Sequence, residues 1–178
     1  KGQTYIIYAM DASGSMKGKK IEACKKAGIA LAYKAINEKD KVGLIVFGSE
    51  VREFVEPTLD FTRLLKEITR IRASKETDIV STLRKSIELF PNDTITKHLI
   101  LLTDALPTKG NEPEKSTLEE ASIARSKGIT ISLIGINLDE KGRKLAEKIV
   151  ELGEGRLYVV RNLENVDQVV LEDYYNVY

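Results

Sequence analysis

Asp11, Ser13 and Ser15 stand at alternate positions directly after the apolar run Tyr5-Ile6-Ile7-Tyr8-Ala9-Met10. The residues between them, Ala12 and Gly14, are small. In extended backbone, residues i, i+2 and i+4 point the same way. The D-x-S-x-S spacing therefore aims one carboxylate and two hydroxyls at a common point. Thr77 stands before a helical pattern, and Asp104 directly follows the apolar segment 98–103. These five residues offer two carboxylates and three hydroxyls, with no His or Cys among them. An all-oxygen set suits a hard cation, Mg²⁺ or Mn²⁺, with water filling the open positions.

For such distant residues to meet, the chain must bring them to one edge. Apolar segments at 5–10, 42–47, 98–103, 129–136 and 156–160 read as strands. Helical spacing covers 20–36, 61–71, 77–89, 114–127, 140–152 and 162–173, with Asp60 or Thr62 near the start of the second helix and Gly128 and Gly153 closing two others. Gly48-Ser49-Glu50 turns the strand 42–47 into a hairpin partner, 51–55, expected at an antiparallel sheet edge. Strands that are apolar end to end and alternate with helices predict a doubly wound, Rossmann-like α/β fold. The expected sheet is mostly parallel, of about six strands, with helices on both faces. Ligands in such folds bind beyond the carboxyl ends of the strands, near the switch in strand order. Asp11 to Ser15 and Asp104 follow strands, and Thr77 sits in a loop that can reach the same edge.

Other chemistries fit less well. A phosphate-binding loop needs G-x-x-x-x-G-K-[ST], and Gly14 to Gly18 is one residue short. An aspartyl phosphotransferase using Asp11 is the best enzymatic alternative, but the haloacid-dehalogenase-like pattern needs a second Asp where Ser13 stands. A polar turn with helix-capping serines is the plain structural alternative for residues 11–15, and a metal-free scaffold is a third reading. Cys24 falls on an apolar helix face and reads as core. His98 opens a strand beside Lys97 and reads as a solvated edge residue. Lys17, Lys19, Lys20, Lys75 and Lys109 fall around the expected site, as a solvated rim or as a basic collar that steers an acidic partner.

Asp11-Ala12-Ser13-Gly14-Ser15, together with Thr77-Asp78 and Thr103-Asp104, resembles the three-part motif of von Willebrand factor A domains. The likeness extends along essentially the whole chain in strand and helix order. It implies a metal-ion-dependent adhesion site. By that likeness Ser13 and Ser15 coordinate directly, Thr77 coordinates in the ligand-competent state, and Asp11 and Asp104 act directly or through water. A carboxylate of the binding partner commonly fills a remaining position. Two departures concern the Thr77 loop: Ser74-Lys75-Glu76 precede Thr77 where many members have Gly-Gly, and Ala105 follows Asp104 where Gly is frequent.

The chain has 178 residues, 28 Lys and Arg against 27 Asp and Glu, and one Cys. That length supports one full core, so residues 1–178 are expected to form a single domain. Without an initiator Met, it reads as excised from a longer chain. A net charge of +1 gives no general pull toward nucleic acid. No apolar run reaches membrane-spanning length, and one Cys excludes a disulfide framework. The expected function is a Mg²⁺- or Mn²⁺-dependent protein-binding module that takes an Asp or Glu from a partner, and not an enzyme. Adhesion, an AAA+ ATPase-linked subunit and a chelatase-like assembly are the settings the resemblance allows. A lone free Cys favours a cytoplasmic location.

Overall fold

The computed structural model describes residues 3–48, 51–73, 78–92, 95–107 and 112–177. Thr77, Lys75 and Lys109, three residues singled out above, lie outside these segments, as does most of the 48–50 turn. Six strands form one sheet: β1 (Thr4–Asp11), β2 (Lys41–Phe47), β3 (Val51–Thr58), β4 (Thr96–Thr103), β5 (Ile129–Ile136) and β6 (Glu154–Val160). Their order is β3-β2-β1-β4-β5-β6. Among the described residues, only β3 runs antiparallel to its neighbour. It carries Pro57, which lacks a ladder donor and is tolerated on an edge.

The helices are α1 (Lys19–Asn37), α2 (Phe61–Thr69), α3 (Ile79–Leu89), α4 (Glu112–Ser126), α5 (Glu140–Leu152) and α6 (Val166–Tyr175). They divide the core in two because strand side chains alternate. Ile6, Tyr8 and Met10 pack with buried residues of α1, α2 and α6. Ile7 and Ala9 pack with α3, α4 and α5 on the opposite face. Central strands are apolar on both faces for this reason.

The seat of α1 is set by one close contact. Tyr8 is buried at the centre of the sheet and donates its hydroxyl to the Cys24 carbonyl at 2.6 Å. A Cβ on Gly28, one turn further along α1, would meet the Tyr8 ring at 2.7 Å. Glycine there lets helix and sheet approach. Cys24 is buried, as its place in the pattern implies; burial, reinforced by the charges of Asp11 and Asp104, pushes its thiol far up.

Several sequence expectations shift. His98 is not a solvated edge residue: it is 3% exposed. Its ring bonds Asp173 Oδ2 and Thr130 Oγ1, both at 2.6 Å. It lies under α6, a long-range contact invisible to local polarity. Asp78 is the N-cap of α3, accepting from the Ser81 N–H, so the helix starts after it rather than at 77. Gly128 closes α4 with φ +81, whereas Gly153 has φ −84 and the left-handed residue is Glu154, at φ +51. The last helix opens with a 3₁₀ turn and continues to Tyr175. Tyr174, in the run Tyr174-Tyr175-Asn176-Val177-Tyr178, is fully buried and donates to Asp40 Oδ2 at 2.7 Å, which packs this residue on its own domain.

Candidate functional site

Strand order places the switch point between β1 and β4. The chain leaves β1 toward β2 and β3 on one side, then crosses to β4 on the other. Met10 pairs with Leu102, so Asp11 and Thr103, the last residues of the two strands, face each other across that switch. A ligand crevice belongs at this place in a doubly wound sheet.

Asp11 is fully buried. Its Oδ1 accepts the Ser13 N–H at 2.8 Å, which folds the chain back directly after β1. Its Oδ2 accepts from the Thr103 hydroxyl at 2.7 Å. That hydroxyl also lies 2.8 Å from the Ala105 carbonyl, so its single hydrogen can turn to either acceptor. Burial raises the Asp11 carboxyl above the usual carboxylate range; hydrogen bonds from Thr103 and Ser13 pull it down, and the Asp104 charge adds to the rise.

A 3₁₀ turn, Gly14–Met16, follows, with Ser13 at its N-cap position. Ser13 makes no side-chain cap hydrogen bond, so its hydroxyl is not spent on the turn. This departs from the reading of these serines as plain helix caps. Ser13 Oγ lies 3.2 Å from Ser15 Oγ, and Ser15 Oγ donates to Asp104 Oδ1 at 2.8 Å. Asp104 Oδ2 accepts from Lys20 Nζ at 3.0 Å. Asp11, Ser13, Ser15 and Asp104 thus share one edge of the sheet, although 89 residues separate Ser15 from Asp104.

Three further residues shape the site. Thr103 orients Asp11; a hydroxyl ending an otherwise apolar strand was the available sequence signal. Lys20 belongs to the proposed collar and turns out to be an ion-pair partner, while Lys17 and Lys19 are exposed. Arg52 on β3 donates to the Ala12 carbonyl at 3.2 Å and to the Arg72 carbonyl at 2.7 Å. It ties the serine loop to the segment leading toward Thr77. No sequence signal marks Arg52, because its partners are backbone atoms of distant segments.

The donor set fits a small hard cation: carboxylate and hydroxyl oxygens only, beside a buried carboxylate whose charge is costly there. Among the described residues, no group of three or more His, Cys, Asp or Glu side chains is arranged to hold a metal ion. The candidate set contains two carboxylates and depends on hydroxyls for the rest. Among the described residues no helix is long and apolar enough to cross a membrane.

Doubly wound topology, one antiparallel edge strand and an oxygen-lined switch point define an α/β domain of the von Willebrand type. Residues 6–107 match the family model of the von Willebrand factor type A domain, and the chain belongs to that family. It is 29% identical over 119 residues to the inter alpha-trypsin inhibitor heavy chain 4 of Mus musculus, an alignment that takes in 59% of this chain and 12% of that protein. It is 29% identical over 118 residues to the magnesium-chelatase 67 kDa subunit of Heliobacterium mobile, covering 64% of this chain and 17% of the subunit. The chain therefore spans less than a fifth of either relative. Among solved structures, BatB from Bacteroides thetaiotaomicron superposes with a TM-score of 0.78 at 21% identity, over 99% of this chain and 98% of BatB. The pilus adhesin SpaC from Lactobacillus rhamnosus GG gives 0.82 at 18% identity, over 99% of this chain and 30% of SpaC. At these identities the structural likeness speaks to the fold.

Proposed function

We propose that this domain is a metal-dependent protein-binding module. Oxygens of Asp11, Ser13, Ser15, Thr77 and Asp104 would hold one Mg²⁺ or Mn²⁺ in a metal-ion-dependent adhesion site, and a partner protein would add an Asp or Glu. When bound, such an ion supplies an electrophilic position for an outside carboxylate. The observation that carries the reading is the run of contacts from Ser13 through Ser15 to Asp104 beside buried Asp11, at the sheet's switch point.

The chain's own residues would divide the work. Ser13 and Ser15 present neutral oxygens. Thr103 and the Ser13 N–H fix the orientation of Asp11. Lys20 and Ser15 occupy both oxygens of Asp104, which favours action through water over direct coordination. The relatives named above include a pilus adhesin and a magnesium-chelatase subunit, so adhesion and a chelatase-like, ATPase-linked assembly are both settings we propose for this domain. Enzymatic use of Asp11 is disfavoured, since its carboxylate is buried and both oxygens accept hydrogen bonds.

Thermal denaturation tests the reading. A ligand that binds only the folded state raises Tm by mass action. Mg²⁺ or Mn²⁺ should raise the Tm of the wild type, and Ser13→Ala with Ser15→Ala should abolish the rise. A rise that persists in the double variant sinks the assignment.

A further inference from the structure

Lys20 differs from Lys17 and Lys19, the other described lysines of the rim. It lies in the first turn of α1, and its side chain is 30% exposed against 4% for the Asp104 side chain it contacts. Its ammonium lies 3.0 Å from Asp104 Oδ2, while Ser15 holds Oδ1. Lys17 and Lys19 are exposed.

We infer that Lys20 is a specificity-determining residue of the proposed metal site, weakening its hold on the cation in order to strengthen its preference for an outside carboxylate. This rests on the function proposed above and deepens it.

The argument is one of charge. Asp11 and Asp104 bring two negative charges and Lys20, in contact with Asp104, one positive charge; Arg52 is engaged by the Ala12 and Arg72 carbonyls and is counted outside this group. A divalent ion would leave this group with a single net positive charge, which an outside carboxylate neutralises. Without the ammonium the loaded site would already be neutral, and an added carboxylate would leave it negative. The contact also engages the Asp104 oxygen that Ser15 leaves open, keeping that carboxylate from approaching an ion directly. Because Asp104 is nearly buried, water and salt screen this pair less than the exposed rim charges. Lys20 therefore acts on the cation and on the carboxylate with opposite signs.

That opposition separates the idea from a structural role. A variant that merely damages the loop weakens both affinities. The experiment uses Mn²⁺ as the metal probe, its affinity read by electron paramagnetic resonance, and acetate as the carboxylate probe. Acetate binding is read by the fall in water-proton relaxation as coordinated water is displaced. Lys20→Met should bind Mn²⁺ about tenfold more tightly and acetate about tenfold more weakly, the low end for a close charge pair. Lys20→Arg keeps the charge and should stay within about threefold of wild type on both readouts. Lys17→Met and Lys19→Met remove the same charge without the contact, and their effects should be smaller and vanish at high salt.

Three results overturn the inference: both affinities moving together in Lys20→Met, no change in either, or Lys17→Met and Lys19→Met matching Lys20→Met at high salt. Failure of the wild type to bind Mn²⁺ at all overturns the underlying metal site as well, and that arm distinguishes the two failures.

Discussion

Replacing Asp11 with Asn separates the cost of its charge from the use of its charge. Asn is isosteric, and the hydrogen-bond pattern can absorb it. Its carbonyl oxygen can keep the Ser13 N–H bond of 2.8 Å. Its amide can donate to Thr103 Oγ1, which turns its own hydrogen to the Ala105 carbonyl 2.8 Å away. In EDTA at neutral pH, Asp11→Asn should therefore melt at or above the wild type, because a costly buried charge is lost while the bonds to Ser13 and Thr103 can be kept. With a divalent ion the order should reverse. At an ion concentration about 100 times Kd, a single site adds about 2.7 kcal/mol to the wild type. For a domain of this size that is roughly 5–10 °C in Tm, and Asp11→Asn should lose most of it. The pH dependence has a definite sign. The folded carboxyl of Asp11 is raised above its unfolded value, chiefly by burial. The folded state therefore holds this proton more tightly than the unfolded chain. Its contribution is fully present below the unfolded value of about 3.9 and is lost as pH rises through the folded one. Metal-free wild type should gain on Asp11→Asn as the pH falls through that window. The assay is paired thermal melts in EDTA and in Mn²⁺ across that range. A variant that melts well below wild type in EDTA, or keeps the full Mn²⁺ shift, refutes the reasoning.

Thr77→Ala should weaken acetate uptake at the loaded site more than Mn²⁺ affinity itself, measured by the same relaxation titration; equal losses would remove its special role in the ligand-bound state. Asp173→Ala should cost about 2–5 kcal/mol in urea unfolding, because His98, Ser132 and Tyr158 all donate to or share a proton with its carboxylate, yet it should leave the metal-induced Tm shift unchanged, being at the other end of β4 and β5. The domain should release no phosphate from aryl phosphates or nucleotides in Mg²⁺. Turnover that disappears in Asp11→Asn would instead make Asp11 a nucleophile.

Local pattern carried most of the architecture. An apolar run buried on both faces reads as a central parallel strand from composition alone, and spacings of three and four mark a helix face. The D-x-S-x-S spacing marked a cluster of oxygens but misjudged its geometry: the chain is not extended there, and the fold-back at Ser13 followed by the 3₁₀ turn Gly14–Met16 brings the two hydroxyls together. Asp104 could be nominated because it ends an apolar strand, and strand ends of a doubly wound sheet share an edge. What these local signals lack is the partner across space. His98 looked solvated beside Lys97, and only the docking of α6 made it a buried partner of Asp173. Gly153 looked like a left-handed cap, but a Cβ there would meet Ile131 Cβ at 2.7 Å, so packing against β5 accounts for it and the strained backbone falls to Glu154. Lys20 looked like one of five rim lysines. Its pairing with Asp104, 84 residues away, exists because the switch between β1 and β4 brings the start of α1 to the end of β4. Side-chain type and spacing decide which groups can do chemistry along a strand or a helix. Which charge finds which is decided by strand order, since that alone determines what distant segments share an edge.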